Sequence, residues 1–278
     1  MKKTSYFKIG SGSRKGFVSK FQDKELKEVI NQNKISKLRN KIITKSSENM
    51  NELIDNCISL TVTSPPYNIG KDSDEDLSDD EYWKMITKVF EEVYRVTESG
   101  GRLVVNVANL GRKPYIPFSK YFIEIILEIG FLMRGEIIWQ KSKGANANFA
   151  WGSWLSPSNP VIRDIHEYCL VFSKDSMKNS AKGEPTIEKE EFMESTLSIW
   201  NITPARAKKI GHPAPFPVEL PKRFINLYSF KNDLILDPFI GSGSTAIAAK
   251  LLDRDYIGYE LNPEYVKIAK NRLKNETS

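Results

Sequence analysis

The chain has 278 residues, of which 40% are hydrophobic and 27% charged, as expected for a folded protein with a buried core. No apolar run approaches the roughly 18 residues of a membrane helix, so we expect a soluble, cytoplasmic protein. Only two histidines and two cysteines are present, and Cys57 and Cys169 form no CxxC motif. We therefore expect no bound metal, and two cysteines buried as small apolar side chains.

The net charge of +6 is concentrated near the start of the sequence. Residues 1–45 carry 13 basic and 3 acidic side chains, whereas the remaining residues carry 28 basic and 32 acidic ones. A basic arm suits an approach to a polyanion, and an arm that only aids solubility explains the charge equally well. We treat residues 1–40 as a basic extension, with a partly amphipathic helix from about Asp23.

From residue 40 the sequence alternates β-branched runs with amphipathic stretches, which predicts an α/β fold. Strands are predicted at 42–43, 59–63, 102–107, 135–140, 167–172, 234–236 and 256–259. Helices are predicted at 79–96, 118–127, 217–227, 244–252 and 263–273. Residues 141–163 have no period and predict a long loop, and residues 174–210 are interpreted as an insertion between two parts of one sheet.

A proline-rich turn follows the strand at 59–63 and consists of Ser64-Pro65-Pro66-Tyr67. Two prolines stiffen the turn and remove two N–H donors, which leaves carbonyls free to accept hydrogen bonds. The Ser64 hydroxyl and the Pro65 carbonyl would suit a grip on both hydrogens of an exocyclic amine, while Tyr67 stacks on the ring. Such a grip favours a pyramidal nitrogen that attacks a methyl group without a covalent intermediate. The alternative is a strand terminator with a packing tyrosine.

A glycine turn joins the strand at 234–236 to the helix at 244–252. Glycines at this place let the backbone approach a nucleotide, and the helix N-terminus receives an anion. Glu260 ends the next strand, where its carboxylate can accept both hydroxyls of a ribose. The turn predicts a nucleoside cofactor without identifying it, because the same spacing fits the dinucleotide fingerprint of NAD enzymes.

Together these segments resemble the amino-group DNA methyltransferases that use S-adenosylmethionine. Residues 63–67 are similar to the catalytic motif of that family, 236–245 to its cofactor motif and 256–261 to its ribose-binding strand, while 212–217 resemble the segment that closes over the methionine part. The resemblance assigns cofactor contacts to Asp237, Phe239, Gly241, Ser242, Gly243, Ser244, Thr245 and Glu260, and to His212, Phe216 and Pro217. S-adenosyl-L-methionine is the implied cofactor.

The motif order is that of the permuted beta group of this family, because the catalytic motif comes first. The resemblance implies a Rossmann-like methyltransferase sheet with circularly permuted motifs and an inserted target-recognition region. The expected units are a catalytic half at 41–173, a variable target-recognition insertion at 174–210 and a cofactor half at 211–278. Ser64 at the first catalytic position favours N4 of cytosine as the acceptor, and N6 of adenine is the alternative. Thr44 and Lys45 stand where relatives usually have a Gly-Asp pair, so the contact to the adenine of the cofactor stays unassigned.

Double-stranded DNA is the implied partner, with the target base flipped into the pocket. Candidate DNA contacts are Arg112 and Lys113 after a strand end; Lys141, Lys143, Asn146, Asn148, Trp151 and Arg163 in the loop at 141–163; and Arg206, Lys208 and Lys209. The acidic stretch 71–92 is expected to face away from DNA. We expect the enzyme to act in a restriction-modification or epigenetic system, where a companion restriction endonuclease is possible. Both a monomer and a homodimer are compatible with the sequence.

Three other classes of function fit parts of the sequence. An NAD-dependent oxidoreductase explains the glycine turn but leaves the Ser-Pro-Pro-Tyr turn without a task. A methyltransferase acting on a protein glutamine or on RNA would retain a similar catalytic turn, although the basic arm and the insertion favour DNA. A DNA-binding module without activity is the non-enzymatic alternative, against which the intact motifs argue.

Overall fold

The structure is a computed structural model that describes residues 36–67, 77–110, 114–141, 152–206, 210–211 and 215–277. Its strands are Lys41–Thr44 (β1), Ile58–Thr63 (β2), Thr97–Val107 (β3), Leu132–Gln140 (β4), His166–Ser173 (β5), Ile199–Asn201 (β6), Leu234–Asp237 (β7) and Asp255–Glu260 (β8). Its helices are Asp79–Val96 (α1), Phe118–Ile129 (α2), Lys189–Ser195 (α3), Glu219–Tyr228 (α4), Ser244–Leu251 (α5) and Pro263–Glu276 (α6). The predicted helix from Asp23 lies outside the described residues.

The described strands form one sheet in the order β1-β8-β7-β2-β3-β5-β4-β6. Neighbouring strands run parallel except at β5, which is antiparallel to both β3 and β4. β2 and β7 are neighbours, so the segments that follow them emerge side by side at the carboxyl edge of the sheet. Open α/β sheets bind their ligands at this edge, and both predicted functional turns lie there.

Helices cover both faces of the sheet. Along β3, Leu103 and Val105 belong to one hydrophobic cluster, which includes side chains of α1 and α2. Val104 belongs to the cluster on the other face, with side chains of α4, α5 and α6. The helix α1 begins and ends where the sequence predicts. Its start is fixed by a capping box, in which the Ser78 hydroxyl accepts from the Glu81 amide and the Glu81 carboxylate accepts from the Ser78 amide. The α/β prediction is confirmed.

The segment 174–210 is built into the sheet instead of merely interrupting it. It contributes α3 and the edge strand β6, which pairs in parallel with β4 so that Trp200 lies opposite Trp139. Trp200 is buried against Phe224 of α4, with ring centroids 4.5 Å apart. The prediction of a simple insertion was incomplete because a strand of three residues shows no measurable period.

Both cysteines are buried and neither forms a disulfide, as expected from their spacing. Burial raises the pKa of the Cys57 thiol to about 12 and that of Cys169 well above its usual value, so both thiols stay protonated. Among the described residues no helix is long and apolar enough to span a membrane. The same part of the chain contains no cluster of three potential metal-ligating His, Cys, Asp or Glu side chains.

Candidate active site

The Ser-Pro-Pro-Tyr turn leaves the carboxyl end of β2 and is fixed at several points. The Tyr82 hydroxyl from α1 donates to the Pro66 carbonyl over 2.7 Å. The Tyr67 hydroxyl accepts from the Ala108 amide over 2.8 Å, and its ring lies edge-on to Phe118 with centroids 6.0 Å apart. Contacts from α1, from the segment after β3 and from the start of α2 therefore fix the turn.

The Ser64 hydroxyl donates its proton to the main-chain carbonyl of Asn106 over 3.1 Å. The Tyr67 hydroxyl also contacts the Ser64 side chain, and since a hydroxyl oxygen has two lone pairs, Ser64 keeps capacity to accept a further hydrogen bond. The Pro65 carbonyl accepts none of the hydrogen bonds formed between described residues. The turn can thus supply two adjacent acceptors, as the sequence predicts.

Tyr67 is held with its hydroxyl directed toward β3. Burial, and next the negative charge of Glu167, raise the pKa of Tyr67 well above its usual value, so the phenol is neutral. Its ring is partly buried against the aromatic side chains of α1 and α2. Stacking of this ring on a base stays a prediction.

A polar cluster that no sequence motif predicted lies beside the turn. The Asn106 side-chain amide donates to Glu167 over 2.6 Å, and Lys141 forms an ion pair with the other oxygen of the same carboxylate. These residues come from β3, β5 and the segment after β4, whose antiparallel pairing brings them together. No local motif marks Glu167, because its position depends on pairing between distant strands.

The glycine turn between β7 and α5 has a backbone that few other residues could adopt. Gly241 and Gly243 have positive φ values of 47° and 86°. A Cβ on Gly243 would lie 2.9 Å from the Cβ of Ala269 in α6, which is closer than real Cβ contacts. Glycine at 243 is therefore required both by conformation and by the close approach of α6.

The hydroxyls in the glycine turn are all directed into the protein. Ser244 donates to the Phe216 carbonyl over 2.9 Å, and Thr245 donates to Asp237 over 2.6 Å. Arg272 of α6 donates to both the carbonyl and the hydroxyl of Ser242. These three residues are predicted from the sequence as cofactor contacts, and the structure leaves mainly their backbone for that task.

Asp237 lies beneath the turn and is 1% exposed. Its carboxylate accepts from Thr63 over 2.7 Å, from Thr245 over 2.6 Å and from the Phe239 amide over 3.1 Å. Burial raises the pKa of Asp237 to about 6 despite these hydrogen bonds. Both carboxylate oxygens are thus engaged by the protein itself, and the predicted contact of Asp237 with a cofactor stays a prediction.

Glu260, in contrast, is only partly buried at the end of β8. One carboxylate oxygen accepts from the Gly241 amide over 3.0 Å and the other from the Asn262 amide over 2.8 Å. The Leu261 amide is a further backbone donor to this carboxylate, which still keeps acceptor capacity for the predicted contact with a ribose hydroxyl. Partial burial raises the pKa of this carboxyl.

The structure describes only some of the remaining residues that the sequence predicts as cofactor or DNA contacts. Phe216, Pro217 and Phe239 are partly buried near the glycine turn. Arg206 is exposed and Arg163 is partly buried, whereas the Lys141 ammonium is paired with Glu167. The predicted residues that lie outside the described part of the chain are His212, Arg112, Lys113, Lys143, Asn146, Asn148, Trp151, Lys208 and Lys209.

The sheet topology and its two adjacent turns define a Rossmann-like enzyme with a nucleoside-cofactor turn beside an acceptor pair. Comparison with known proteins agrees with this class. A family model described as DNA methylase, of the N6 and N4 methyltransferases, matches residues 58–271. The type II methyltransferase M.MthZI of Methanothermobacter thermautotrophicus is 31% identical over a match that covers 87% of this chain and 78% of the relative.

Two solved structures share the fold. The Thermus thermophilus protein TTHA0409, complexed with S-adenosyl-L-methionine, superposes with a TM-score of 0.69 at 27% identity, covering 85% of this chain and 94% of its own. The cytosine-N4-specific PvuII DNA methyltransferase has a TM-score of 0.66 at 21% identity, covering 85% of this chain and 90% of its own. The chain belongs to the N6/N4 DNA methylase family and is an amino-group DNA methyltransferase.

Proposed function

We propose that the protein transfers a methyl group from S-adenosyl-L-methionine to the N4 amino group of a cytosine flipped out of double-stranded DNA. The observation that carries the proposal is the inward hydrogen bond of Ser64 to the Asn106 carbonyl. It leaves the Ser64 oxygen as an acceptor next to the Pro65 carbonyl, so the two hydrogens of an amine each find a partner.

The described residues around the glycine turn fit the cofactor. Two glycines with positive φ allow the backbone to approach a ligand closely, and Glu260 offers a partly buried carboxylate at the next strand end. When bound, S-adenosylmethionine supplies an electrophilic methyl group on a sulfonium sulfur. TTHA0409 was solved with this cofactor on the same fold.

The contribution of the protein to the reaction is orientation. Ser64 and Pro65 hold the amine so that its nitrogen lone pair leaves conjugation with the ring, and Tyr67 stacks on the base. Pro66 stiffens the turn and is itself fixed by Tyr82. As the N–C bond forms, the electron pair of the S–C bond would stay on sulfur as a neutral thioether, and the nitrogen would then release one proton to water.

N6 of adenine is the second candidate acceptor, because an adenine amine also presents two hydrogens to the same pair of acceptors. The presence of serine at position 64 favours cytosine, and the PvuII enzyme, which is specific for N4 of cytosine, shares the fold. The relative M.MthZI is named a type II methyltransferase, which supports a role in protecting DNA from a companion endonuclease.

DNA contacts are proposed for the loop after β4, the insertion and the segment after β3. Among the described candidates, Arg206 offers an exposed guanidinium and Arg163 a partly buried one to phosphates. The segment 174–210 provides target recognition from its parts outside the sheet, since Trp200 and Ile202 are committed to the core.

The deciding experiment incubates the protein with methyl-labelled cofactor and mixed-sequence plasmid DNA, followed by digestion to nucleosides and mass analysis. We expect labelled N4-methylcytosine. Labelled N6-methyladenine would replace the acceptor assignment, and the absence of label in any nucleoside would refute the proposed activity. Challenge of the modified plasmid with restriction endonucleases of known sites then identifies the recognition sequence.

A further inference from the structure

One buried carboxylate joins the two functional turns. Thr63 directly precedes Ser64 at the end of β2, and Thr245 lies in the first turn of α5 after Gly243. Both hydroxyls donate to Asp237, over 2.7 and 2.6 Å, on different oxygens. The catalytic and cofactor motifs therefore meet on a side chain at the end of β7.

The backbone alone does not hold these turns together. The ladder between β2 and β7 pairs Leu60 with Ile235 and Thr61 with Leu236, and it stops there. Toward β3, in contrast, the pairing of β2 continues to Thr63. Beyond the β2–β7 ladder, the hydrogen bond from Thr63 to Asp237 links the end of the catalytic strand to the cofactor strand. The Thr245 hydroxyl also lies 3.3 Å from the Val62 carbonyl, a longer contact than its 2.6 Å bond to Asp237.

This link is directional and shielded from water. Asp237 and Thr63 are almost fully buried, so no solvent competes for the hydroxyl proton of Thr63. Hydrogen bonds to an ionised carboxylate are shorter and stronger than neutral ones. The carboxylate also accepts from the Phe239 amide, so it fixes the backbone just before the glycines.

We propose that Asp237 is a positioning residue that acts through Thr63 and holds the acceptor pair of Ser64 and Pro65 in one place relative to the glycine turn. This role rests on the proposed methyl transfer. It assigns Asp237 to the coupling of two sites, in place of the direct cofactor contact predicted from the sequence.

The chain offers a matched control for this role. Thr61 lies on the same strand two residues earlier and is fully buried, and its hydroxyl has no hydrogen-bond partner among the described residues. Thr63→Val and Thr61→Val are therefore the same isosteric change on one strand. Only the first removes a hydrogen bond.

The first measurement compares single-turnover methyl transfer at saturating DNA and cofactor with cofactor affinity from calorimetry. We expect Thr63→Val to slow transfer by about 10-fold or more while the Kd changes less than about threefold, because orientation is lost and the cofactor turn is kept. Thr61→Val should leave both within about twofold. An unchanged transfer rate in Thr63→Val, even with a lower melting temperature, would overturn the proposal.

A double-mutant cycle tests whether Thr63 acts through Ser64. In a Ser64→Ala background one of the two acceptors is already gone, so adding Thr63→Val should reduce transfer by a clearly smaller factor than the same substitution does in the wild type. Multiplying effects would show an independent role and contradict the coupling. A tenfold loss of cofactor affinity in Asp237→Asn, with transfer unaffected by Thr63→Val, would instead identify Asp237 as a direct ligand.

Hydrogen exchange with cofactor alone separates this role from the reaction itself. We expect cofactor binding to slow exchange of the Ser64 and Tyr67 amides in the wild type and in Thr61→Val, and not in Thr63→Val. An equal response in all three proteins would overturn the coupling. If the wild type methylates no DNA, the proposed function fails, and the exchange data alone decide whether the two turns are coupled.

Discussion

The catalytic turn and the glycine turn end neighbouring parallel strands, and they offer a ligand opposite kinds of groups. At the end of β2, Ser64 sends its proton inward and keeps capacity to accept a hydrogen bond, beside a proline carbonyl. At the end of β7, the hydroxyls of Ser242, Ser244 and Thr245 are all engaged inside the protein. In the proposed function, the first turn acts through side-chain and carbonyl acceptors, and the second acts mainly through its backbone.

The difference matches what the proposed function requires each turn to recognise. An amine that must be oriented needs acceptors at fixed positions, so prolines and neighbouring hydroxyls stiffen that turn. A cofactor that must lie against the chain needs a backbone without side chains in the way, so glycines shape the other turn. Substitutions in and between the two turns test this division of tasks, and a last pair tests the charges proposed to contact DNA.

The largest effect is expected for Ser64→Ala. Loss of one of the two acceptors should lower the single-turnover rate of methyl transfer by about 100-fold or more, because preorganised polar groups contribute on that scale. Cofactor affinity should stay within about threefold. Ser195→Ala, which removes a buried hydroxyl without a partner among the described residues, is the control and should leave both quantities unchanged. A rate in Ser64→Ala close to that of the wild type would refute the acceptor role.

A pH-dependent effect is expected at Asp237. Its pKa is raised from 3.8 to about 6 in the folded protein, so the folded state binds the proton more tightly than the unfolded chain. The favourable contribution of protonated Asp237 to the free energy of unfolding is complete below about pH 4 and is lost as the pH rises through about 6. Relative to Asp237→Asn, the wild type should therefore lose about 2–3 kcal/mol of unfolding free energy between pH 4 and 7. Urea denaturation of both proteins at several pH values measures this loss. A difference in unfolding free energy that does not change with pH would contradict the prediction.

Gly243→Ala probes the backbone of the cofactor turn. The positive φ of 86° and the 2.9 Å approach to Ala269 should cost about 2 kcal/mol of stability and weaken cofactor binding, because the turn must shift. Gly135→Ala is the matched control, since no atom lies within 4 Å of the place that a Cβ would take there. Calorimetry and thermal unfolding report both effects, and equal behaviour of the two variants would remove the case for a backbone-shaped site.

The smallest effect separates an exposed cation from a paired one. Arg206→Ala should reduce the salt dependence of DNA affinity by about one unit in the slope of log K against log salt concentration, because it removes an exposed phosphate donor. Lys141→Met should leave that slope nearly unchanged, since the ammonium is bound to Glu167. Fluorescence titrations at several salt concentrations measure the slopes, and a larger change for Lys141 would return it to the DNA interface.

Local signals in the sequence were enough to predict the two turns, the family and five of the six helices in the described part of the chain, whereas α3 and β6 were missed. The bounds of α1 follow from its apolar period and capping residues, and the turns are marked by prolines and glycines at strand ends. The prediction that both cysteines are buried is also confirmed. The helices and the turns depend on residues that are near one another in the chain.

Only the tertiary structure decided which atoms face a ligand. The pairing of distant strands brings Glu167 to Asn106 and converts Lys141 from a candidate DNA contact into one half of an ion pair. Asp237 likewise lies buried beneath the cofactor turn. There its carboxylate accepts a hydrogen bond from Thr63, which is 174 residues away in the sequence. Hydrogen bonds between such distant residues leave no periodic or local mark, because their geometry exists only once the sheet has formed.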